Sequence, residues 1–366
     1  MSYTSPLMQL PGAAVVQDTT LIDSQGVAWH YGDPLVEQRA IHFDTPVLVD
    51  RSQRRVISVT GPDAPEFLNN LLSQKLDDVN AGYTATALDL DIQGRILHHA
   101  DVVRTEEGFF LDTTEAEFST FLDFLTKMIF WSQVEVKEAD LALLTLLGPI
   151  PELPTEVTSE AAFVRDVPAW TKTPRTDIAI PRNQLATLAR TLIDAGLKPA
   201  GLMAFTAERI RNLEPERAAD LDDKSIPHEV WHWIGRGELP GAVHLEKGCY
   251  RGQETIARVE NLGRSPRLLV LLYLDGSAPE MPEIGAEITS GGRKVGRMGT
   301  IIDDFEYGPI ALGLVKRSAL PATEDADAAA TELLIGDVAA TIDVDSLPRD
   351  EGIKLGRNAI DKLRGK

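Results

Sequence analysis

The sequence predicts an α+β protein that ends in a small β-barrel. Three features carry this: short strand patterns joined by tight turns, helical patterns gathered separately, and a series of short strands with turn signals beyond Arg267. At 366 residues the chain exceeds one typical core, so two or three packed units are expected.

Residues 1–40 show little periodicity and several prolines and glycines, and read as an N-terminal extension or lid strand. Residues 55–60 alternate and are rich in β-branched side chains, the pattern of a strand. It ends at Gly61-Pro62-Asp63, where Asp63 can cap a helix carrying Phe67, Leu68, Leu71 and Leu72 on one face. Strands follow over 83–91 and 95–104, turned at Gln93-Gly94, and another over 109–112 returns after Glu106-Glu107-Gly108. Neighbours joined this tightly pair antiparallel. Phe118, Phe121, Leu122, Leu125 and Met128 recur at helical spacing, and 134–147 reads as strands ending at Gly148-Pro149. Pro149, Pro151, Pro154, Pro168 and Pro174 then punctuate what reads as loops between units. Helical patterns resume over 183–195 and 202–213. Short strands over 268–274, 286–290, 294–302, 310–315 and 339–344 have the texture of a small barrel. The acidic, alanine-rich stretch 322–332 reads as a solvated loop within it, and the basic 354–366 as a frayed helix.

Hydrophobic content of 43% is ordinary for a globular protein. A single cysteine excludes an intramolecular disulfide and suits a reducing compartment. The opening MSYTSPLMQLPGAAVVQDTT lacks a basic region and an unbroken apolar core, and no run approaches the roughly 18 apolar residues that cross a bilayer. A soluble, cytoplasmic protein without a membrane partner is therefore expected. A formal net charge of −20 repels polyanions, so stable nucleic-acid binding is not expected. A small anion in a locally basic cleft remains compatible, because Arg251, Arg258, Arg264 and Arg267 lie within 17 residues, against Glu254 and Glu260.

The only cysteine lies in the run Lys247-Gly248-Cys249-Tyr250-Arg251-Gly252-Gln253-Glu254. Its two glycines let the backbone turn sharply and admit a ligand closely, placing one nucleophile among several polar groups. The alternative is a glycine-rich turn holding an inert cysteine. This run resembles the signature of the YgfZ-type folate-binding proteins, relatives of the aminomethyltransferase (T-protein) of the glycine cleavage system. Ala257-Arg258, Gly263-Arg264, Arg267 and Gly308-Pro309-Ile310-Ala311-Leu312 resemble the family's continuation. Weaker similarity reaches back through Leu213-Glu214 to 59–64 with Phe67-Leu68.

The resemblance implies two mixed α+β domains plus a C-terminal β-barrel around a central folate-binding channel. It divides the chain into an extension (1–40), a folate-binding region of two subdomains (41–265), the barrel (266–345) and a basic tail (346–366). It implies tetrahydrofolate as cofactor and Glu214 as the pterin-binding carboxylate. A carboxylate suits that role because the pterin edge presents adjacent N–H donors. Tyr250, Arg251, Gln253, Arg258 and Arg267 are further cofactor-binding candidates, and Cys249 and Lys247 are the candidate catalytic pair. Family members support assembly or repair of iron-sulfur enzymes, including ones that modify tRNA, so such enzymes are the implied partners. Whether the thiol performs chemistry or only contacts a partner stays open. One cysteine cannot supply a usual four-cysteine ligand set, so no resident cluster is expected.

Two alternatives compete. The first is an aminomethyltransferase or other folate-dependent one-carbon transferase. That branch carries a catalytic aspartate in a pattern resembling Gly-Gly-Ile-x-Asp-Asp, whereas this chain has Gly94-Arg95-Ile96-Leu97-His98-His99, with Asp101 two residues further along. The second is a zinc peptidase, since His228-Glu229-Val230-Trp231-His232 matches H-E-x-x-H, with Gly235 and Glu238 at positions of the longer form. Against it, Pro227 precedes the motif and Gly235, Gly237, Pro240 and Gly241 follow it, which leaves about two helical turns, marginal for a stable helix. No bound metal is expected.

Overall fold

Runs of valine, isoleucine and leucine buried on both faces form the central strands of this chain, and amphipathic helices cover the sheets they build. The computed structural model describes residues 3–17, 21–43, 45–236, 239–262, 264–321 and 332–348. The chain divides into one unit of Met1–Leu88 with His98–Glu208 and a second of Asp89–Leu97 with Arg209–Lys366.

The first unit begins with a small ribbon of β1 (Ala13–Ala14) and β2 (His30–Tyr31), then α1 (Pro34–His42), capped by the Asp33 side chain. There follow β3 (Val47–Asp50), β4 (Arg55–Thr60), α2 (Ala64–Leu71), β5 (Thr84–Leu90), β6 (Ile96–Arg104), β7 (Gly108–Thr113), α3 (Glu115–Lys127) and β8 (Glu135–Ala139). Next come β9 (Leu141–Leu147), α4 (Thr155–Glu160), β10 (Phe163–Asp166), β11 (Arg175–Pro181), α5 (Leu185–Asp194) and β12 (Lys198–Ala200). They form two five-stranded sheets, ordered β5-β6-β7-β4-β8 and β10-β11-β9-β3-β12, with β12 parallel to β3. Phe67 and Leu68 of α2 and Phe118, Phe121 and Leu125 of α3 pack on Ile57, Val102 and Leu111 of the first sheet. Leu185, Leu188 and Leu192 of α5 cover Leu144, Leu146 and Ile178 of the second.

A buried charge cluster links strands of both sheets. Asp177 accepts from Arg165 (2.8 and 3.1 Å), from Arg175 (2.8 and 3.1 Å) and from the Thr145 hydroxyl (2.6 Å). Arg54 and Arg165 both pair with Asp112, and Asp101 lies within 4.0 Å of Arg54, Arg165 and Arg175. Burial pushes the Asp177 carboxyl up, but Arg175, Arg165 and Arg51 together pull it well below the usual carboxylate range.

The second unit contains the tip of the β5–β6 hairpin, the end of α6 (Leu202–Arg211), α7 (Arg217–Asp220), α8 (Gln253–Leu262) and the barrel. The barrel strands are β13 (Arg267–Leu274), β14 (Glu287–Ser290), β15 (Arg293–Asp304), β16 (Gly308–Lys316), β17 (Leu333–Ile335) and β18 (Val338–Ile342). They close in the order β13-β16-β15-β14-β17-β18. Leu268, Val270, Leu272 and Leu274, two residues apart, point into its core with Ile288, Met298 and Leu333.

Several expectations change. Residues of the supposed extension are built into the first unit: Leu7 packs on the core under α5, and Val27 joins Phe205 and Trp170 in another core. The proline-punctuated stretch after Pro149 is no linker, because it contributes α4, β10 and the interior strand β11 to one sheet. Asp63 makes no side-chain cap and instead accepts from the Gln133 N–H at 2.6 Å. The division near residue 208 places 209–265 with the barrel, whereas the expected boundary was at 265. Most of the acidic stretch 322–332 and the basic 354–366 lie outside the described residues. Among the described residues no helix is long and apolar enough to cross a membrane.

Candidate functional site

All the candidate site residues fall in the second unit. The loop before α8 is fixed at both ends and exposed between them. Lys247 and Tyr250 are buried, with the Lys247 Nζ 5.0 Å from the Tyr250 ring centroid, a cation–π contact. Burial pushes the Tyr250 hydroxyl up to about 12. The Gln253 side-chain amide donates to the Lys247 carbonyl at 3.5 Å. Gly248 and Cys249 are exposed at the tip.

Arg251 fastens this loop to the hairpin tip, donating from Nε to the Leu90 carbonyl and from Nη2 to the buried Asp89 carboxylate. Gly252 (φ 85°) makes the approach possible: a Cβ there would stand 2.7 Å from the Asp91 carbonyl oxygen and 2.9 Å from the Gly94 Cα. The two cations flanking Cys249 in sequence are thus engaged by Tyr250 and Asp89. Arg258 is exposed on α8.

Arg267, at the start of β13, donates to Asp222 (2.5 and 3.0 Å) and to Glu229 (2.8 and 2.9 Å). Hydrogen bonds from Arg267 pull the Asp222 carboxyl down to about 2, while burial raises that of Glu229 despite the same partner. Glu229 also accepts from the Ile226 N–H at 3.3 Å. The H-E-x-x-H residues form no α-helix: they occupy two 3₁₀ turns, Pro227–Glu229 and Trp231–Trp233, separated at Val230. His228 is buried with Nε2 3.3 Å from Glu260 of α8, which Arg236 holds at 2.8 and 3.0 Å, and its Nδ1 has no hydrogen-bond partner. Among the described residues no group of three His, Cys, Asp or Glu is placed to hold a metal ion, and Glu238 lies outside them.

Glu214 occupies the turn that ends α6. The Leu213 N–H donates to the Ile210 carbonyl (3.0 Å) and the Glu214 N–H to that of Arg209 (3.1 Å), the bond pattern of a Schellman motif. Its left-handed position, usually glycine, is Leu213 at φ 56°, the only non-glycine with positive φ among the described residues. Such a conformation costs a leucine about 1–2 kcal/mol. A non-glycine held there marks a turn whose shape is imposed by its surroundings. Glu214 is half-buried.

In the first unit, the stretch that corresponds by resemblance to the aminomethyltransferase aspartate pattern carries histidines instead. His98 stacks on Phe121 (5.0 Å between centroids) and Phe124 (6.3 Å) with Nε2 3.0 Å from the Thr120 hydroxyl, and His99 is buried. Asp101 is taken up by the arginine cluster and by the Thr86 hydroxyl at 3.1 Å. Sequence reading missed the residues that shape the Glu214 turn: Arg209, Asp220 and Thr300. No local signal marks them, because Thr300 is 80 residues from Asp220 and the three meet only in the folded unit.

No family model matches the chain. An iron-sulfur cluster assembly factor IBA57 homolog, mitochondrial, of Neurospora crassa is 27% identical over 260 residues, covering 65% of this chain and 56% of the relative. A putative chloroplastic transferase of Arabidopsis thaliana is 24% identical, covering 75% and 66%. The tRNA-modifying protein YgfZ of Escherichia fergusonii is 24% identical, covering 67% and 77%. The chain spans little more than half the length of the fungal relatives it matches. The aminomethyltransferase of the Bartonella henselae glycine cleavage system superposes with a TM-score of 0.73 at 21% identity, over 92% of this chain and 94% of that one, and so shares its fold.

Proposed function

We propose that this chain, which is similar in sequence to YgfZ and IBA57 proteins and shares the aminomethyltransferase fold, binds tetrahydrofolate and supports assembly or repair of iron-sulfur enzymes in the cytoplasm, tRNA-modifying ones among them. The observation that carries the folate assignment is Glu214, a half-buried carboxylate on a turn held in a conformation its leucine disfavours. The group fits the ligand: a carboxylate accepts the adjacent N–H groups of a pterin in bidentate fashion. A bound reduced folate supplies a one-carbon carrier. Tyr250, Gln253 and Arg258 are the further contacts proposed, while Arg251 and Arg267, held by Asp89 and by Asp222 with Glu229, shape the site.

Iron-sulfur enzymes are proposed as partners on the strength of the relatives' roles, and the anchored loop offers its exposed thiol, Cys249, to such a partner. The transferase alternative gains nothing from the geometry, since Asp101 is engaged by three arginines. Calorimetry with tetrahydrofolate tests the reading: Glu214→Ala weakens binding by about 1.5–3 kcal/mol, the range of a charge-assisted contact. Unchanged affinity removes the pterin assignment. In cells lacking their own copy, Cys249→Ser should bind folate normally yet fail to restore iron-sulfur enzyme activity, and full complementation at equal expression would reduce the loop to a structural turn.

A further inference from the structure

Resting on the assignment of Glu214 to the pterin, we infer that Arg209 is the positioning residue of that carboxylate, acting on folate affinity through Glu214 and touching no ligand itself. Arg209 grips Glu214 at both ends of its backbone. The Arg209 carbonyl accepts from the Glu214 N–H at 3.1 Å, and its Nη1 donates to the Glu214 carbonyl at 2.7 Å. These two bonds hold the backbone of Glu214 at both ends, and with it the point from which its side chain leaves the turn.

The arginine is itself held immobile. Its side chain is 2% exposed, which keeps it from meeting a ligand directly. Its charge is balanced by the fully buried Asp220, 2.7 Å from Nη1, and Nη2 donates to the Thr300 hydroxyl of β15 at 2.7 Å. Asp220 completes the clamp from the other side. One of its oxygens accepts from the Glu216 N–H (2.8 Å), and the other from the Thr300 N–H (2.6 Å) and hydroxyl (2.8 Å). Gly299 lets the strand come this close, since a Cβ there would stand 2.3 Å from the Asp220 oxygen. The turn 213–216 is therefore bolted to the barrel by one ion pair that grips the backbone on both sides of Pro215. This supplies what the sequence withholds: glycine at the left-handed position would form the turn unaided, whereas Leu213 needs it imposed. A buried arginine and aspartate cost desolvation on their own, and orientation of the carboxylate is the function their placement serves.

A double-mutant cycle tests this. Tetrahydrofolate affinity is measured by calorimetry for the parent, Arg209→Lys, Glu214→Gln and the double variant, with thermal unfolding followed on each. Lysine keeps the charge opposite Asp220 but cannot donate to Glu214, Asp220 and Thr300 from a fork. Arg209→Lys is expected to weaken binding about tenfold in the parent and less than about twofold in the Glu214→Gln background, the coupling of residues that act as one. An equal loss in both backgrounds would show a general structural effect and overturn the proposal, as would no loss in either. Should Arg209→Lys fail to fold, Thr300→Val carries the same cycle, because it removes the Nη2 acceptor and leaves the ion pair. A parent that does not bind tetrahydrofolate, or a Glu214→Gln single variant with parental affinity, overturns the pterin assignment itself. Parental binding lost on Glu214→Gln with an uncoupled Arg209 overturns only the positioning role.

Discussion

Replacing Asp177 by asparagine keeps the shape of a side chain at the centre of the buried cluster and removes its charge. Its carboxylate is fully buried, takes four hydrogen bonds from Arg165 and Arg175, and lies 3.7 Å from Arg51. Asparagine leaves three guanidinium groups without that partner and turns an amide donor toward donors. Breaking a buried pair from one side costs about 3–5 kcal/mol, and in a unit of roughly 200 residues each kcal/mol moves Tm by about 2–4 °C, so Asp177→Asn should lower Tm by about 6–20 °C at pH 7. The acid limb provides a second check. The folded carboxyl lies below its ordinary value of 3.8, so its stabilisation is complete above that pH and lost as pH falls through the folded value. Parent and variant should therefore converge only below about pH 3.8, where the unfolded chain binds the proton first. Thermal unfolding by circular dichroism between pH 2.5 and 7 reads both. A Tm loss under about 2 °C at pH 7, or a gap that closes already by pH 5, would refute the electrostatic account of this cluster.

Two further outcomes follow from the second unit. Arg251→Met removes two charge-assisted bonds and leaves the buried Asp89 without this partner, a cost of about 1.5–3 kcal/mol; amide hydrogens of 247–254 should exchange faster while those of β13 keep their protection, and unchanged loop protection would contradict the anchoring. The purified protein should carry no stoichiometric zinc, because the two histidines sit on separate 3₁₀ turns and Glu229 is bound by Arg267; elemental analysis near one zinc per chain that disappears in His232→Ala would reverse this.

The barrel was legible because its strands are short apolar runs set off by turn residues: 268–272 is an unbroken apolar run, and Gly308 marks the turn before β16. Helix α3 was legible for the matching reason, with Phe118, Phe121 and Leu125 on one stripe. Strand β11 was not, since Pro174 precedes it and two of its buried positions are Arg175 and Asp177, where the ion cluster replaces the apolar alternation. The N-terminal segment escaped because its anchors, Leu7 and Val27, are single residues spaced too widely to form a period. At the candidate site, the Lys247–Glu254 run stood out by its resemblance to the family signature, since its composition alone also reads as a glycine-rich turn holding an inert cysteine. The turn at Glu214 did not, because a leucine in the left-handed region looks like any helical leucine until its backbone is seen.

Glu214 is proposed to receive the pterin of a reduced folate. A crystal structure of the full chain grown with tetrahydrofolate tests it most directly. Both Glu214 carboxylate oxygens should lie within about 2.7–3.2 Å of pterin nitrogens, with the 213–216 turn unmoved and the Arg209 bonds intact. A folate bound with its pterin away from Glu214, or a turn that rearranges to reach it, would overturn the assignment of this carboxylate.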